Sequence, residues 1–465
     1  MKKIITSLLM LALVISLMAA FTSCGEPAYE KLPADERAIE LDKLSSEKMD
    51  QATSYDAKTS GTISFSMNGI DVTADISGKK QLLLTETTTL MHQEESIEIS
   101  IAGKSEITKS TSGYSCGKAY ISEVSSGKKT AFYSLMTYDE YMAYLAEDSD
   151  DVLNAFNAES ASEKTSAKLS DGGWSLIFEK FNDEAKAALT KNFDDLLGDT
   201  EVTDAKISIV LDDGLYYKSF IMDIFFHDDS DFKEFSFRID FSDINAETID
   251  INAFEYNKYT QIADIRVLDK LDKALGYMPE DGEKGEVNVR ISQRAHTNGK
   301  LSLNQKETSR IVCETVDGKF KYEINGELST IATSKCVIKY EDGTQTVELY
   351  SESGNLQNSN STESDDDTQR AYVLGIINTV KYNRTLVKSM KISEDVANTY
   401  ILSCDVSKEL IGTSEYFSAK LTVEVTLDDD GNVSEIASEI YVKYDFLDRN
   451  SYMLTEYCTF GENAK

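Results

Sequence analysis

Residues 113–117 read Gly-Tyr-Ser-Cys-Gly, the pattern that carries the nucleophile of many serine hydrolases. That chemistry needs a strand before the serine and a helix after it, so that the Ser115 hydroxyl is exposed on a tight turn, and it needs a base. Residues 118–124 have the alternation of another strand. The chain has only three histidines, each in an unrelated local context: His92, His227 and His296. We therefore predict a hairpin turn at Ser115 and no catalytic residue.

Residues 428–431 read Asp-Asp-Asp-Gly, a composition found in calcium-binding loops. If Gly431 were the sixth residue of such a loop, Thr426 would be the first, and Ala437 would stand where a bidentate Glu is required. The spacing of a calcium-binding loop is therefore not met, and a hairpin turn is predicted. We interpret the acidic runs 147–151 and 365–367 as solvated loops rather than weak calcium sites. No dinucleotide, phosphate-loop or zinc spacing occurs, so no metal and no cofactor is expected.

The N-terminus has the pattern of a bacterial lipoprotein signal peptide. Two lysines at 2–3 precede an apolar stretch over residues 4–20, and Phe-Thr-Ser-Cys follows at 21–24. This resembles a lipobox, which implies that a diacylglyceryl group is attached to Cys24 and that residues 1–23 are removed. Two acyl chains give stable attachment. We expect an exported protein anchored by lipid to the outer face of the cytoplasmic membrane; an uncleaved signal anchor is the alternative.

The charge composition of the chain limits the classes of binding partner that are expected. The 465 residues include 81 acidic and 47 basic side chains, a formal charge of −34 at pH 7. Such a charge is repelled by phosphate backbones, so nucleic acid is not expected as a partner. The acidity is interpreted as a property that favours solubility. Contact with the membrane is then expected through the lipid on Cys24.

Five cysteines follow Cys24, an odd number for an exported protein. They cannot all pair within one chain. Cys313 could bridge to Cys336, and Cys404 to Cys458, because the members of each pair lie on predicted strands of one meander. Free thiols are nevertheless expected at all five positions, since a chain of this length does not need disulfide bonds to be stable. Cys116 is the cysteine that belongs to neither pair.

Hydrophobic periodicity predicts an α+β fold with two domains. In the first half a helical pattern is followed by alternation such as that of Ile97, Ile99 and Ile101, then by two further helices and closing strands. Residues 24–36 are expected to form a tether, 37–257 a first sheet-plus-helix domain and 262–465 a second one. The polar, acidic run 355–367 occupies the position that the acidic run 147–151 has in the first half.

The second half repeats the first. Leu-Asp-Lys-Leu at 41–44 recurs at 268–271. The row Ile63, Phe65 and Met67 is matched by Val287, Val289 and Ile291, and residues 205–209 with the turn at 212–214 are matched by 419–423 with the turn at 429–431. Agreement in the order of elements and in short sequence segments indicates an internal duplication.

This element order behind a lipobox resembles the lipoprotein carrier superfamily typified by LolA and LppX. The resemblance covers about 200 residues of each half. It implies two tandem copies of a curved antiparallel sheet wrapped around helices, with an apolar cavity that holds lipid or acyl chains. It assigns no numbered residue to the ligand.

The apolar rows that face inward, for example Phe235, Phe237, Ile239 and Phe241, fit either a filled core or the wall of a cavity. We expect a non-enzymatic protein that binds or shuttles an apolar, lipid-like ligand between sheet and helices. The alternative is a structural or sensory surface module that binds another envelope protein without a ligand. Ligand-binding residues, oligomeric state and envelope type are left open.

Overall fold

The structure is a computed structural model that describes residues 28–67, 70–125, 127–147, 158–197, 202–227, 232–251, 254–279, 281–328, 333–351, 353–407, 410 and 416–461. The predicted signal peptide, Cys24 and nearly all of the acidic run 147–151 lie outside these residues. The chain forms two compact units. The first holds the described residues up to Ala131 together with Leu135–Tyr259, and the second holds Phe132–Ser134 together with the described residues from Thr260 onward.

The described residues of the first unit begin with a 3₁₀ turn at Ala28–Lys31 and include three α-helices and eleven strands. The helices are α1 (Ala34–Asp50), α2 (Tyr138–Glu147) and α3 (Asp183–Leu197). The strands are β1 (Ser54–Met67), β2 (Ile70–Leu84), β3 (Thr89–Ile101), β4 (Lys104–Ser115), β5 (Lys118–Ser125), β6 (Lys128–Leu135), β7 (Ala161–Lys168), β8 (Trp174–Phe181), β9 (Val202–Leu211), β10 (Tyr217–Phe226) and β11 (Phe232–Ser242).

One antiparallel sheet organises this unit, with its strands in the order β6-β5-β4-β3-β2-β1-β11-β10-β9-β8-β7. Two meanders therefore meet where β1 pairs with β11. Helix α1 contacts β7 and β8, and α3 contacts β9. The side chains that α1 buries recur at helical spacing, which is what a helix lying on a sheet requires: Ala38, Leu41, Ser45 and Met49.

A 3₁₀ turn at Tyr256–Lys258 lies near the end of the first unit, and the short strand β12 (Thr260–Gln261) belongs to the second. Its helices are α4 (Arg266–Leu275) and α5 (Asp366–Ile377), with a further 3₁₀ turn at Arg384–Leu386. Its strands are β13 (Lys284–Thr297), β14 (Lys300–Val316), β15 (Lys319–Leu328), β16 (Thr333–Glu341), β17 (Thr344–Ser351), β18 (Leu356–Glu363), β19 (Val387–Ile392), β20 (Thr399–Cys404), β21 (Ser418–Leu427), β22 (Val433–Lys443) and β23 (Ser451–Phe460).

The second sheet has the same topology as the first, in the order β18-β17-β16-β15-β14-β13-β23-β22-β21-β20-β19. Two antiparallel sheets that each carry helices confirm the coarse prediction of the fold class. The chain is mostly strand, with less helix than the prediction implied. No helix in the described part of the chain is both long enough and apolar enough to cross a bilayer.

The strand registers define which positions of the two units correspond. The hairpin that joins Met67 to Ile70 corresponds to the one that joins Thr297 to Lys300, and the turn at Cys116 corresponds to the turn at Asp342. The pairing of β1 with β11 and of β13 with β23 then makes Val287 the counterpart of Ala57, not of Ile63. The predicted match of Val287, Val289 and Ile291 was therefore out of register by three inward positions.

The prediction of a solvated loop at residues 365–367 is wrong, and the polar run 355–367 contains a strand and the start of a helix. Leu356–Glu363 forms β18 at the edge of the second sheet, and all eight of its residues are exposed. An edge strand exposed on both faces has no apolar alternation, so periodicity could not reveal it. The acidic residues 365–367 start α5, where the Asp365 carboxylate accepts a hydrogen bond from the Thr368 amide at 2.8 Å.

Candidate ligand site on the inner face of the first sheet

The inner face of the first sheet is the face that carries the buried side chains of β1 and β11. Ala57 and Ile239 belong to it, and Thr59 lies next to both. Strand β2 continues this face with Lys80 and Gly78, because Lys80 pairs with Ala57 and Gly78 pairs with Thr59. A lysine is thus placed on the core side of the sheet.

Strand β3 adds an amide and a carboxyl beside that lysine. Gln93 pairs with Lys80, and Glu95 pairs with Gly78. The Gln93 side-chain amide donates a hydrogen bond of 2.6 Å to Oε1 of Glu95. Ser110, opposite Glu95 on β4, provides a further side-chain hydrogen bond to the same carboxyl. We call Lys80, Gln93 and Glu95 the inner polar cluster.

Burial raises the pKa of the Glu95 carboxyl to about 7, and the hydrogen bond from Gln93, the positive charge of Lys80 and the hydrogen bond from Ser110 oppose that rise. Desolvation is the larger effect because a carboxylate loses more from removal of water than one amide and one nearby cation return. Near neutral pH the Glu95 side chain therefore exists in both forms, and it can accept or donate a hydrogen bond.

Gly78 makes the close packing of this cluster feasible. A Cβ atom at position 78 would lie 2.5 Å from Oγ1 of Thr59 and 2.9 Å from the carbonyl oxygen of Glu94. Both distances are shorter than real Cβ contacts. The glycine thus leaves room for the Glu95 side chain between neighbouring strands.

An aromatic and aliphatic wall adjoins the cluster. The rings of Tyr55 and Phe241 meet edge to face with centroids 6.2 Å apart, and Tyr217 lies 6.1 Å from Phe241. Met49 of α1 and Ile239 complete the wall. The cavity between wall and cluster has a volume of about 40 Å³. It is large enough for a few water molecules and too small for an acyl chain in this conformation.

The second unit has no such cluster at the corresponding positions. The registers of β14, β15 and β16 place Ile311 at the position of Lys80, Ile324 at that of Gln93 and Gly326 at that of Glu95. Cys336 corresponds to Ser110. Ile311 and Ile324 are buried in an apolar core. The same fold is therefore built without polar groups here.

The second unit instead buries Glu456, which is 3% exposed and has a structural role. Its carboxyl accepts hydrogen bonds from the backbone amides of Thr379 at 2.9 Å and Val380 at 3.3 Å, directly after α5. Burial raises the pKa of Glu456 to about 7 despite these bonds. Glu456 therefore holds the chain that follows α5 against β23.

The hydrolase-like motif at 113–117 is a hairpin, as predicted. Ser115 ends β4, Cys116 and Gly117 form the turn with positive φ, and β5 follows. His92 does not contact Ser115; its Nδ1 lies 2.7 Å from the Tyr120 hydroxyl and its Nε2 lies 3.0 Å from Glu94. Gly113 is needed because a Cβ there would lie 2.4 Å from that hydroxyl.

The remaining predicted features are placed as follows. Asp428 and Gly431 form the turn between β21 and β22, which confirms the predicted hairpin. The two disulfides considered above do not form, because these thiols are all free: Cys116, Cys313, Cys336, Cys404 and Cys458. Within the described ranges, no three His, Cys, Asp or Glu side chains converge as a metal site would require.

Sequence reasoning did not find the inner polar cluster, although a signal was present. The predicted alternation of Ile97, Ile99 and Ile101 continues backward to Glu95 and Gln93 with the same period of two. Both side chains are therefore in phase with Ile97, which is buried. A polar residue in phase with a core row is an informative exception to the pattern.

No family model matches the chain, and no curated protein matches it. Among solved structures, a β-barrel-like protein of the DUF1849 domain from Brucella abortus is 10% identical, covers 41% of this chain and 96% of its own, and has a TM-score of 0.16. A putative AttH from Nitrosomonas europaea is 8% identical, covers 88% of this chain and 93% of its own, and has a TM-score of 0.13. These scores are too low to support an argument about fold or function.

Proposed function

We propose that this protein is a lipid-anchored, exported binding protein whose first unit holds an amphiphilic ligand at the inner polar cluster. One observation carries the proposal: Lys80, Gln93 and Glu95 face the core of one sheet, while the same fold in the second unit has Ile311 and Ile324 at the corresponding positions. Charged groups in a core lower stability, so a use beyond folding accounts for their presence.

The chemistry of the pocket selects a ligand with two parts. The Lys80 ammonium donates to an anionic or carbonyl oxygen, and the Glu95 carboxyl, with its pKa near 7, pairs with either a donor or an acceptor. The wall of Tyr55, Ile239 and Phe241 buries an apolar part of the ligand. A lipid-like molecule with a small hydrogen-bonding head combines these features.

Entry of an acyl chain requires α1 to move outward, because the cavity has a volume of only about 40 Å³. Polar contacts near the end of this helix hold it in place: Lys48 donates to the carbonyl of Gly214, and the Tyr217 hydroxyl donates to Asp42 at 3.1 Å. Water can replace the part-buried Lys48 contact, whereas the bond between the buried Tyr217 and Asp42 is the larger cost of moving the helix. In this proposal the sheet wraps around the helix in the manner of the lipoprotein carriers, and the helix is the gate.

The lipid predicted on Cys24 would keep this pocket close to the membrane that supplies the ligand. The residues that carry that prediction lie outside the described ranges, so it rests on the sequence pattern at 21–24. We propose no catalytic role and no cofactor. The acidic surface, with a formal charge of −34, is consistent with a partner other than nucleic acid.

Native mass spectrometry of the full-length protein, followed by solvent extraction, tests the proposal. We expect a co-purifying amphiphile at near one-to-one ratio, and we expect Lys80→Met and Glu95→Gln each to reduce its occupancy at least tenfold. Lys58→Met is the matched control. Lys58 lies on the neighbouring strand β1, where it is exposed on the opposite side of the sheet.

A protein that carries no ligand, and that takes none up from vesicles of its host's lipids, would contradict the proposal. The alternative of a surface module that binds another envelope protein would then be the better account. Equal ligand loss in the Lys80 and Lys58 variants would also contradict the proposal, because it would indicate a general effect of removing charge rather than binding at the cluster.

A further inference from the structure

The outer face of the second sheet contains a polar hollow that is separate from the inner polar cluster. It has a volume of about 530 Å³, which lies in the range of binding sites for small ligands. Strands β21, β22, β23, β13 and β14 cross it side by side. We call it the outer groove.

The strand registers arrange its side chains in two rows. One row runs across the five strands as Glu424, Ala437, Tyr457, Arg290 and Thr308. The other row runs beside it as Thr422, Glu439, Thr455, Ser292 and Lys306. Tyr457 and Thr455 therefore lie on the central strand, with the acidic side chains on the β21 and β22 side and the basic side chains on the β13 and β14 side.

The two ends carry opposite charge. Glu424 and Glu439 are exposed on β21 and β22, and Arg290 and Lys306 are exposed on β13 and β14. Two strand spacings separate Glu439 from Arg290, and four separate Glu424 from Lys306, which corresponds to about 10 to 19 Å. An elongated ligand with a cation at one end and an anion at the other matches this arrangement.

The Arg290 guanidinium lies over the ring of Tyr457, 4.2 Å from its centroid. This stacking restricts the long arginine side chain to one position on the floor of the groove. A guanidinium held in this way is suited to a carboxylate, which it binds through parallel hydrogen bonds. The cationic end is therefore preorganised for an anion.

The first unit does not repeat this groove at the corresponding positions. Ile221 stands where the second unit has Ala437, so the floor is filled. Its charges are paired locally: Arg238 binds Asp240 through two hydrogen bonds of 2.7 Å, and Lys206 pairs with Glu179 at 2.6 Å. The fold by itself thus produces neither the hollow nor the separation of charge.

We propose that the outer groove binds a short peptide in extended form, with its positive end at Glu424 and Glu439 and its negative end at Arg290 and Lys306. An extended chain advances about 3.3 Å per residue, so three to five residues span the distance between the charged ends. The hydroxyls of Thr455 and Ser292 in the floor provide hydrogen bonds to its backbone. This inference does not depend on the function proposed for the first unit.

Tetra-alanine with free ends is the probe, compared with its N-acetylated and C-amidated forms by saturation-transfer NMR and calorimetry on the full-length protein. We expect the free peptide to bind, and we expect blocking either end to weaken binding roughly tenfold. Arg290→Gln and Glu439→Gln should each have a similar effect. Asp223→Asn, at the position of the first unit that corresponds to Glu439, should leave binding unchanged.

A charge swap separates recognition from folding. The fourfold variant Arg290→Glu, Lys306→Glu, Glu424→Arg and Glu439→Arg reverses the charge of both ends. It should regain the binding that Arg290→Gln or Glu439→Gln loses, because the peptide can then lie in the opposite direction. Binding should weaken with added salt. The proposal is overturned if the free and blocked peptides bind equally, if none of them binds, or if Arg290→Gln leaves the affinity unchanged.

Discussion

Glu95 and Gly326 occupy the same position of a strand register that the two units share. In the first unit the position carries a half-buried carboxyl with a pKa of about 7; in the second it carries no side chain. The two units, which share one fold, can therefore be compared position by position. The second unit folds with apolar residues or glycine at these positions. The polar groups of the first unit are therefore not needed for folding.

The first prediction follows from this comparison. The triple variant Lys80→Ile, Gln93→Ile and Glu95→Leu gives the inner face of the first sheet the apolar character of the second. We expect the free energy of unfolding of the first unit to rise by about 1 kcal/mol or more, because half-buried charges are replaced by packed apolar side chains. Denaturant titration measures the stability, and native mass spectrometry should show the ligand lost.

Glu98→Leu provides the control for that experiment. Glu98 lies on the same strand with its side chain on the opposite face, and surface substitutions of this kind change stability by about 0.5 kcal/mol or less. A triple variant that is less stable than the natural chain would show that the inner polar cluster supports the fold, and the functional argument would lose its basis.

The second prediction concerns pH. Because the pKa of Glu456 is raised from 4.5 to about 7 in the folded chain, the folded state binds a proton that the unfolded state has released. Its contribution to stability is thus fully present below pH 4.5 and decreases as the pH rises toward 7. Glu456→Gln stays neutral, so its stability should fall less steeply over this interval, by up to about 1.4 kcal/mol per pH unit.

Urea titrations at pH 5, 6 and 7 measure that slope. Glu439→Gln is a suitable control, since Glu439 is exposed on the neighbouring strand and should keep the slope of the natural chain. Identical slopes for Glu456→Gln and the natural chain would show that the carboxyl is ionised in the folded state throughout this range.

Much of the fold was predictable because each element carried a local signal. The turn at Ser115 followed from alternation on both of its sides, and the helical spacing that starts near Leu41 corresponds to α1. Strand β18 was missed because an exposed edge strand lacks a buried face. The repeat was recognised from its order of elements, whereas its register needed the actual pairing of β1 with β11.

The candidate site was predictable only in part. The inward row of Ile239 and Phe241 was identified, and both residues line the pocket. The partners of these residues come from β2 and β3, and only the registers show that Lys80 and Glu95 face the same side. The outer groove was not predictable, since its two rows draw on strands that are far apart in the sequence.

The third prediction concerns the anchor. If Cys24 carries the diacylglyceryl group, Cys24→Ala should abolish both lipidation and cleavage before residue 24. We expect metabolic labelling with a tagged fatty acid to be lost, together with the mass shift of the mature N-terminal peptide. Cys116→Ala is the control, because Cys116 is an exposed thiol on a hairpin and should leave labelling unchanged. Labelling that survives in Cys24→Ala would contradict the lipoprotein prediction.

The fourth prediction concerns a contact that both units make. A lysine of the first helix of each unit donates to a turn carbonyl: Lys48 to Gly214, and Lys270 to Gly431 at 2.6 Å. Because the two contacts are alike and partly buried, Lys48→Met and Lys270→Met should each destabilise the packing of their own helix by roughly 1 kcal/mol. Hydrogen exchange should then accelerate in α1 or in α4 respectively. If α1 is the gate of the ligand site, only Lys48→Met should also speed the exchange of bound ligand; equal effects of the two variants would assign these lysines to stability alone.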